Sequence, residues 1–241
     1  MTETKSGDIC IAIPLPSRFP PRVILAAIFD LDGTLVESLP GIAAGLNRAL
    51  AAHGHPVHAE ETVRAFIGDG AWMLARRAIP DAPDSEVDRV EAAFKKEYAK
   101  TWQDGTLLLD GILPLLDHLV VTGIPLAVLS NKPHGFTVGI VRHLFPAGTF
   151  QAVLGQRDDT PKKPDPAGPL TVATQLAVPP ASIAVIGDST VDFETAVHAG
   201  MQPVLVDWGY HTRAALLATG APVLSSPDDL RDHLAAQLPT S

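Results

Sequence analysis

The chain has 241 residues, 46% of them hydrophobic and 19% charged, with a formal net charge of −9. That length allows one large domain or a main domain with an insert, and the acidic balance argues against nucleic acid or an anionic membrane as main partner, since both need clustered Lys and Arg. The lone cysteine, Cys10, cannot form an intrachain disulfide, so the expected compartment is the cytoplasm.

Residues 1–21 read as a mobile tail. Their apolar segment, 9–13, is followed at once by Pro14, Pro16, Pro20 and Pro21, a pattern that argues against a signal peptide or membrane span. Residues 23–29 form a short, continuous apolar run, as in a parallel-sheet strand covered on both faces. Residues 40–102 then carry helical periodicity and no convincing strand. Ile42, Leu46, Ala49 and Leu50 share one face, and Gly54 is placed to end that helix. Ser85 reads as the N-cap of a later helix whose apolar stripe is Val87, Val90, Phe94 and Tyr98.

Apolar runs return at 124–129, 152–154, 183–186 and 203–206, separated by helix-like stretches around 135–144, 169–176 and 193–199. Strands alternating with helices imply right-handed βαβ units and a doubly wound parallel α/β sheet. The expected organisation is a core of residues 22–38 and 104–241 with an all-helical cap of residues 39–103 inserted above the sheet edge.

Four strings lie at or just beyond these strand ends: FDLDGT, LSNK, KKPDP and GDSTVD. Ligands bind at that edge in open α/β folds. Asp30 and Asp32 are two apart at a strand end, so their side chains point to the same side. Two such close carboxylates titrate together, and their roles divide: Asp30 attacks phosphorus, while Asp32 protonates the leaving oxygen and then activates water. Gly33 permits a tight turn, and Thr34 offers a hydroxyl to a phosphoryl oxygen. Ser130 and Asn131 can donate to the equatorial oxygens, although the same string also suits a helix N-cap. Lys163, with Lys162 as adjacent competitor, supplies a positive charge from a loop stiffened by Pro164 and Pro166.

Asp188 and Asp192 lie one helical turn apart at the start of a helix. Together with Asp30 and Asp32 they call for a divalent cation, and an all-oxygen donor set selects Mg²⁺ over zinc. The expected ligands are Asp30, the backbone carbonyl of Asp32, and Asp188, with Asp192 supporting from behind. The His53, His55 and His58 group sits in a Gly/Pro-containing stretch with no Cys, which argues against zinc. Arg64, Arg76 and Arg77 are mainly solvated on this reading, with one of them able to read a substrate carboxylate.

With these strings in this order, from about residue 24 to 230, the chain resembles the haloacid dehalogenase superfamily, in particular its helical-cap phosphatases. FDLDGTLVES, FIGDGA, SNKPHGFT, KKPDPAGPL, GDSTVDFETAVHAGM and DWGYHT resemble the bacterial phosphoglycolate phosphatase family most. The resemblance implies a Rossmann-like core with a mobile cap, Mg²⁺ as cofactor, and 2-phosphoglycolate, a small anionic phosphate ester, as substrate. It implies Asp30 as nucleophile, Asp32 as acid and base, Thr34, Ser130, Asn131 and Lys163 as phosphate binders, and Asp188 as metal ligand. An Asp at position 32 is unlike the superfamily's dehalogenases, and Thr34 favours a phosphatase over its sugar-phosphate mutases, with a β-phosphoglucomutase-like enzyme as the weaker alternative. Glu37 stands where the family more often has Asp, and Asp69 where it has Asn, adding negative charge near Arg64 and Gly68, where specificity is expected to be set.

The competing reading is a receiver module, which also uses a phosphoacceptor Asp, a lysine and Mg²⁺. Its acids come in another order and it has no helical insert. Pyrophosphate, nucleoside monophosphates and sugar phosphates are the alternative substrates, and either a monomer or a homodimer is compatible with the sequence.

Overall fold

A computed structural model describes residues 22–239; the expected tail therefore lies outside the described residues. In chain order, β1 (Ala26–Phe29) and the short β2 (Val36–Glu37) lead into helices α1 (Leu39–Ala52), α2 (Glu60–Arg64), α3 (Ala71–Ala78) and α4 (Asp84–Thr101). The chain returns through β3 (Leu107–Leu108) to α5 (Ile112–Val121), β4 (Leu126–Pro133), α6 (His134–Leu144), β5 (Ala152–Gln156) and α7 (Ala167–Leu176). It ends with β6 (Ile183–Gly187), α8 (Thr190–His198), β7 (Gln202–Val206), α9 (Arg213–Leu217), β8 (Val223–Leu224) and α10 (Pro227–Ala235).

Six parallel strands form one sheet in the order β5-β4-β1-β6-β7-β8. The continuous apolar runs are explained by burial on both faces. Ala27 and Phe29 of β1, Val128 of β4 and Ile186 of β6 pack with α5 and α10, through Leu116, Leu119, Leu230 and Leu234. The alternate residues Ala26, Ile28, Leu129 and Val185 pack with α7 and α8, through Val172, Leu176 and Ala196. Period two thus assigns successive residues of one strand to two separate cores. The sheet's central pair, β1 and β6, brings Asp30 and Asp188 to the same edge, and Asp30 N donates to Ile186 O at 2.8 Å.

Helices α1, α3 and α4 enclose their own core of Leu46, Leu50, Leu74, Val87, Val90 and Phe94. At Gly45 the crossing of α1 and α4 is close, since an added Cβ would lie 3.1 Å from Tyr98 Cα. Gly54, with φ +74°, follows the end of α1 as expected for a glycine there. The N-terminus of α4 differs from expectation. It starts at Asp84 behind an extended Pro83, and Ser85 lies inside its first turn. Proline's fixed φ prepares that start, and Asp84 and Glu86 favour the positive helix end without a side-chain cap.

The helices α1–α4 leave and rejoin the sheet through an antiparallel pair, β2 with β3, that periodicity could not reveal because each strand has only two residues. Just beyond it Gly41 N donates to Gly105 O at 3.1 Å, and Thr101 Oγ1 donates to Gly41 O at 3.0 Å. A Cβ on Gly105 would come within 2.4 Å of Gly41 Cα and 2.5 Å of Gly41 N, both of them backbone atoms that cannot rotate away.

Gly105→Ala should therefore destabilise the protein by about 1–3 kcal/mol, as other overpacked sites do, with a fall in thermal midpoint of roughly 3–10 °C for a chain of this size. An unchanged melting curve would mean that the two backbones do not approach this closely in solution.

Candidate active site

A partly open cleft lies between the helices α1–α4 and the sheet edge. Its floor is Asp30, Asp32, Ser130, Asn131, Lys132 and Asp188; its apolar wall is Ile42, Ile67, Ala71, Leu74, Phe94 and Phe136. Among the described lining residues Lys132 is the one Lys or Arg.

Lys163 Nζ stands 2.9 Å from Asp30 Oδ1 and 2.7 Å from Asp192 Oδ1. This separates it from Lys162, whose ammonium instead donates to the carbonyl of Asp69 at 2.8 Å. Burial alone would lower the pKa of Lys163, but the carboxylates of Asp192 and Asp30 outweigh it and hold the ammonium charged. Asp192 also closes a capping box at the start of α8, where Ser189 N donates to its Oδ2 at 3.2 Å. One Lys163 cannot balance all the buried acids. Asp30 Oδ1 is buried and, although near Lys163, is not aligned for a hydrogen bond. Burial pushes the Asp30 carboxyl up to about 6 and that of Asp188 up to about 8, with neighbouring carboxylates adding to both.

Asp188 accepts from Tyr210 N at 2.7 Å and from Thr34 Oγ1 at 3.2 Å. The Thr34 hydroxyl, expected to meet a phosphoryl oxygen, is here buried beneath the acid and bonded to it. Gly33 has φ +80°, and a Cβ there would sit 2.6 Å from Asp188 Oδ2, so the acid's approach requires a glycine.

The LSNK string contains three different roles. Ser130 Oγ accepts from Lys132 N at 3.2 Å, and among the described residues no acceptor takes its proton. The Asn131 side chain departs from expectation: its Nδ2 donates to Gly68 O at 3.0 Å and to Lys163 O at 3.1 Å, and its Oδ1 accepts from Lys163 N at 2.8 Å. Both amide protons hold the cap loop and the lysine loop, leaving none on that side chain for a phosphoryl oxygen. Lys132, which sequence reasoning passed over, places Nζ 2.8 Å from each oxygen of Asp32. Ser38 Oγ donates to the same carboxylate at 2.6 Å.

The cap arginines are engaged elsewhere. Arg64 pairs with Glu61 at 3.2 Å and lies 5.5 Å over the Tyr210 ring. Arg76 bonds Ala82 O and Asp84, and Arg77 bonds Phe66 O and Asp69. None of the three lines the cleft, because local carbonyls and carboxylates occupy their forks. The extra charge of Asp69 is correspondingly neutralised by Arg77. His53 and His55 flank Glu86 at 3.2 and 3.3 Å, whereas His58 turns to Ala78 O, so the three do not converge. Tyr210 is a second omission of the sequence reading; its hydroxyl accepts from Ser38 N and Leu39 N at 3.0 and 3.1 Å and donates to Glu37 at 2.8 Å.

Asp30, Asp188 and Asp192 can bring carboxylate oxygens within 4.8 Å of one another. All-oxygen donors, an orphaned buried oxygen and two carboxyls held above their ordinary range fit a hard divalent cation. No helix among the described residues is long and apolar enough to cross a membrane.

Residues 27–206 match the family model for haloacid dehalogenase-like hydrolases. The chain is 33% identical over 215 residues to a phosphoglycolate phosphatase of Pectobacterium atrosepticum, covering 88% of this chain and 89% of that one. It is 33% identical over 228 residues to a phosphoglycolate phosphatase of Pseudomonas putida, covering 92% and 81%. A crystal structure from Lactobacillus delbrueckii subsp. bulgaricus, of a protein provisionally assigned as a phosphoglycolate phosphatase, superposes with a TM-score of 0.83 at 30% identity, covering 88% of this chain and 98% of that one.

The raised Asp188 pKa has a stability consequence. Between its ordinary value of 3.8 and its folded value of about 8, the unfolded chain gives up a proton that the fold retains. Stability of the metal-free protein should therefore fall as pH rises through that window and level off above it. Asp188→Asn should flatten the fall, and Mg²⁺ should raise the wild-type melting temperature most near pH 8. Scanning calorimetry with and without Mg²⁺ checks both; parallel pH profiles for wild type and variant would contradict this account of Asp188.

Proposed function

The chain belongs to the haloacid dehalogenase-like hydrolase family, and from that premise we propose that it is a Mg²⁺-dependent phosphomonoesterase whose substrate is 2-phosphoglycolate. The observation that carries the reading is the meeting of Asp30, Asp32, Lys163 and Asp188 at one sheet edge beneath a helical cap. Asp30 is the nucleophile. Its buried Oδ1 has no hydrogen bond to compete with phosphorus, and Lys163 beside it offsets the charge of an incoming phosphoryl group.

Attack by Asp30 breaks the ester P–O bond, and Asp32 passes its proton to the departing oxygen. Asp32 then takes a proton from water as that water attacks the aspartyl-phosphate, so phosphate is released and both carboxyl groups return to their starting states. Ser130 donates its hydroxyl to a phosphoryl oxygen. Asp30, the Asp32 carbonyl and Asp188 would hold Mg²⁺, while Asp192 keeps Lys163 and the α8 N-terminus in place behind them. The cation, when bound, neutralises the acids and polarises a phosphoryl oxygen. The apolar wall lowers the polarity around the reacting groups without closing the cleft to the attacking water. Repeated turnover, rather than a single phosphorylation, distinguishes this reading from a receiver module.

The choice of 2-phosphoglycolate is supported by the names of relatives at 33% identity. The pairing of Asp69 with Arg77 also removes the repulsion an anionic substrate would otherwise meet there. The cytoplasm is the compartment we propose, as one cysteine gives no disulfide framework.

Asp30→Asn should abolish Mg²⁺-dependent phosphate release, by at least about a thousandfold, with an unchanged circular dichroism spectrum; retained turnover would remove Asp30 as nucleophile. Across a panel of phosphoglycolate, pyrophosphate, nucleoside monophosphates and sugar phosphates, phosphoglycolate should have the highest kcat/KM. A sugar phosphate at the head of that ranking would reject the substrate assignment but not the chemistry.

A further inference from the structure

We propose that Lys132 is the residue that positions Asp32 for proton transfer to the leaving group, and that the ring of Tyr98, carried by the cap, holds Lys132 there. The inference rests on the hydrolytic reading above and adds a residue to it. Lys132 Nζ bonds both oxygens of Asp32 at 2.8 Å, a two-point contact that sets the carboxyl plane as well as its position. Ser38 Oγ, 2.6 Å from Asp32 Oδ1, fixes the group from the other side. Lysine and aspartate are both nearly enclosed, with side chains 5% and 11% exposed, so neither is free to swing in solvent.

The Tyr98 ring closes this arrangement. Its centroid lies 4.8 Å from Lys132 Nζ, within reach of a cation–π contact in a desolvated setting. The ring is itself wedged between Phe94 of the cap, stacked at 5.4 Å, and Phe136 of the core, edge-on at 4.9 Å. The Tyr98 hydroxyl is buried without a well-aligned hydrogen bond, but it too lies beside Lys132, so ring face and hydroxyl both face the ammonium. Seating of α4 on the core thereby completes the support of Asp32. In the reaction the proton moves from Asp32 to the bridging ester oxygen as the P–O bond breaks. Lys132 exchanges no proton; it holds the donor on line and faces the charge Asp32 acquires.

A lysine in this position could instead read a carboxylate on the substrate, and leaving-group dependence separates the two roles. The value of kcat/KM stops at departure of the leaving group, and p-nitrophenolate leaves without protonation whereas alkoxides do not. Lys132→Met is therefore measured with p-nitrophenyl phosphate, 2-phosphoglycolate and glycerol phosphate. The expected result is a loss of about 100-fold on both alkyl esters and under about threefold on the aryl ester, within the range of general acid catalysis. Tyr98→Leu should move the same ratio in the same direction, and Tyr98→Phe, which keeps the ring and loses only the hydroxyl, should move it less. The Tyr98 pair also decides the question if Lys132→Met does not fold. Equal losses on all three esters would reduce Lys132 to a structural ion pair, and a loss confined to phosphoglycolate would make it a carboxylate reader; either overturns the proposal. Failure of the underlying hydrolytic reading looks different, as Asp30→Asn would then retain activity on every ester.

Discussion

Buried negative charge at one sheet edge is the constraint from which the remaining features follow. Asp30, Asp188 and Asp192 lie close enough to share a cation, and the ammonium of Lys163 bridges only two of them. A lone buried carboxylate is expensive unless paired and hydrogen-bonded. Each acid accordingly has its own device: a lysine loop for Asp30, a capping box for Asp192, a backbone N–H and a threonine for Asp188. What those devices leave uncompensated is negative charge that a cation would offset.

The parts of the molecule legible from sequence are those in which one residue type has one physical option. Both-face burial makes β1, β4, β6 and β7 continuous apolar runs, and an acid at the end of such a run must face the sheet edge. Residues with several partners in three dimensions were not legible. Thr34 and Asn131 are hydrogen-bonding residues next to the site, and composition cannot tell whether they bond ligand or protein; here Asp188, Gly68 and the Lys163 backbone take them. Lys132 was hidden because its partner is 100 residues away in sequence. Arg64 reads from sequence as one of three arginines able to meet a substrate carboxylate, and nothing in sequence shows that Glu61 and the Tyr210 ring would be its neighbours. A signal for Tyr210 existed in the DWGYHT string, yet nothing in that string says that its hydroxyl would meet the amides of Ser38 and Leu39.

Those two amides connect the fold's two halves. Tyr210 grips the start of α1 with its hydroxyl and Asp188 with its backbone N–H, so one residue spans from the root of the cap to the acid cluster. On the far side Asn131 reaches Gly68, and Lys162 reaches the carbonyl of Asp69. The helices α1–α4 are thus tied to the loops at the sheet edge by polar contacts at the rim and by the Tyr98–Phe136 edge contact, and Trp102 packs against the cores on both sides. The polar contacts can exchange with water more readily than the packed aromatic rings can.

The near-touching of Gly41 and Gly105 has a consequence for the history and the engineering of such a chain. Because the excursion departs and rejoins at practically one point, the helical unit is grafted into what would otherwise be a tight turn, and the sheet beneath has no need to register its size. A different helical unit could be transplanted at the same junction, provided that its ends meet as closely and that neither contributes a side chain where these two backbones cross.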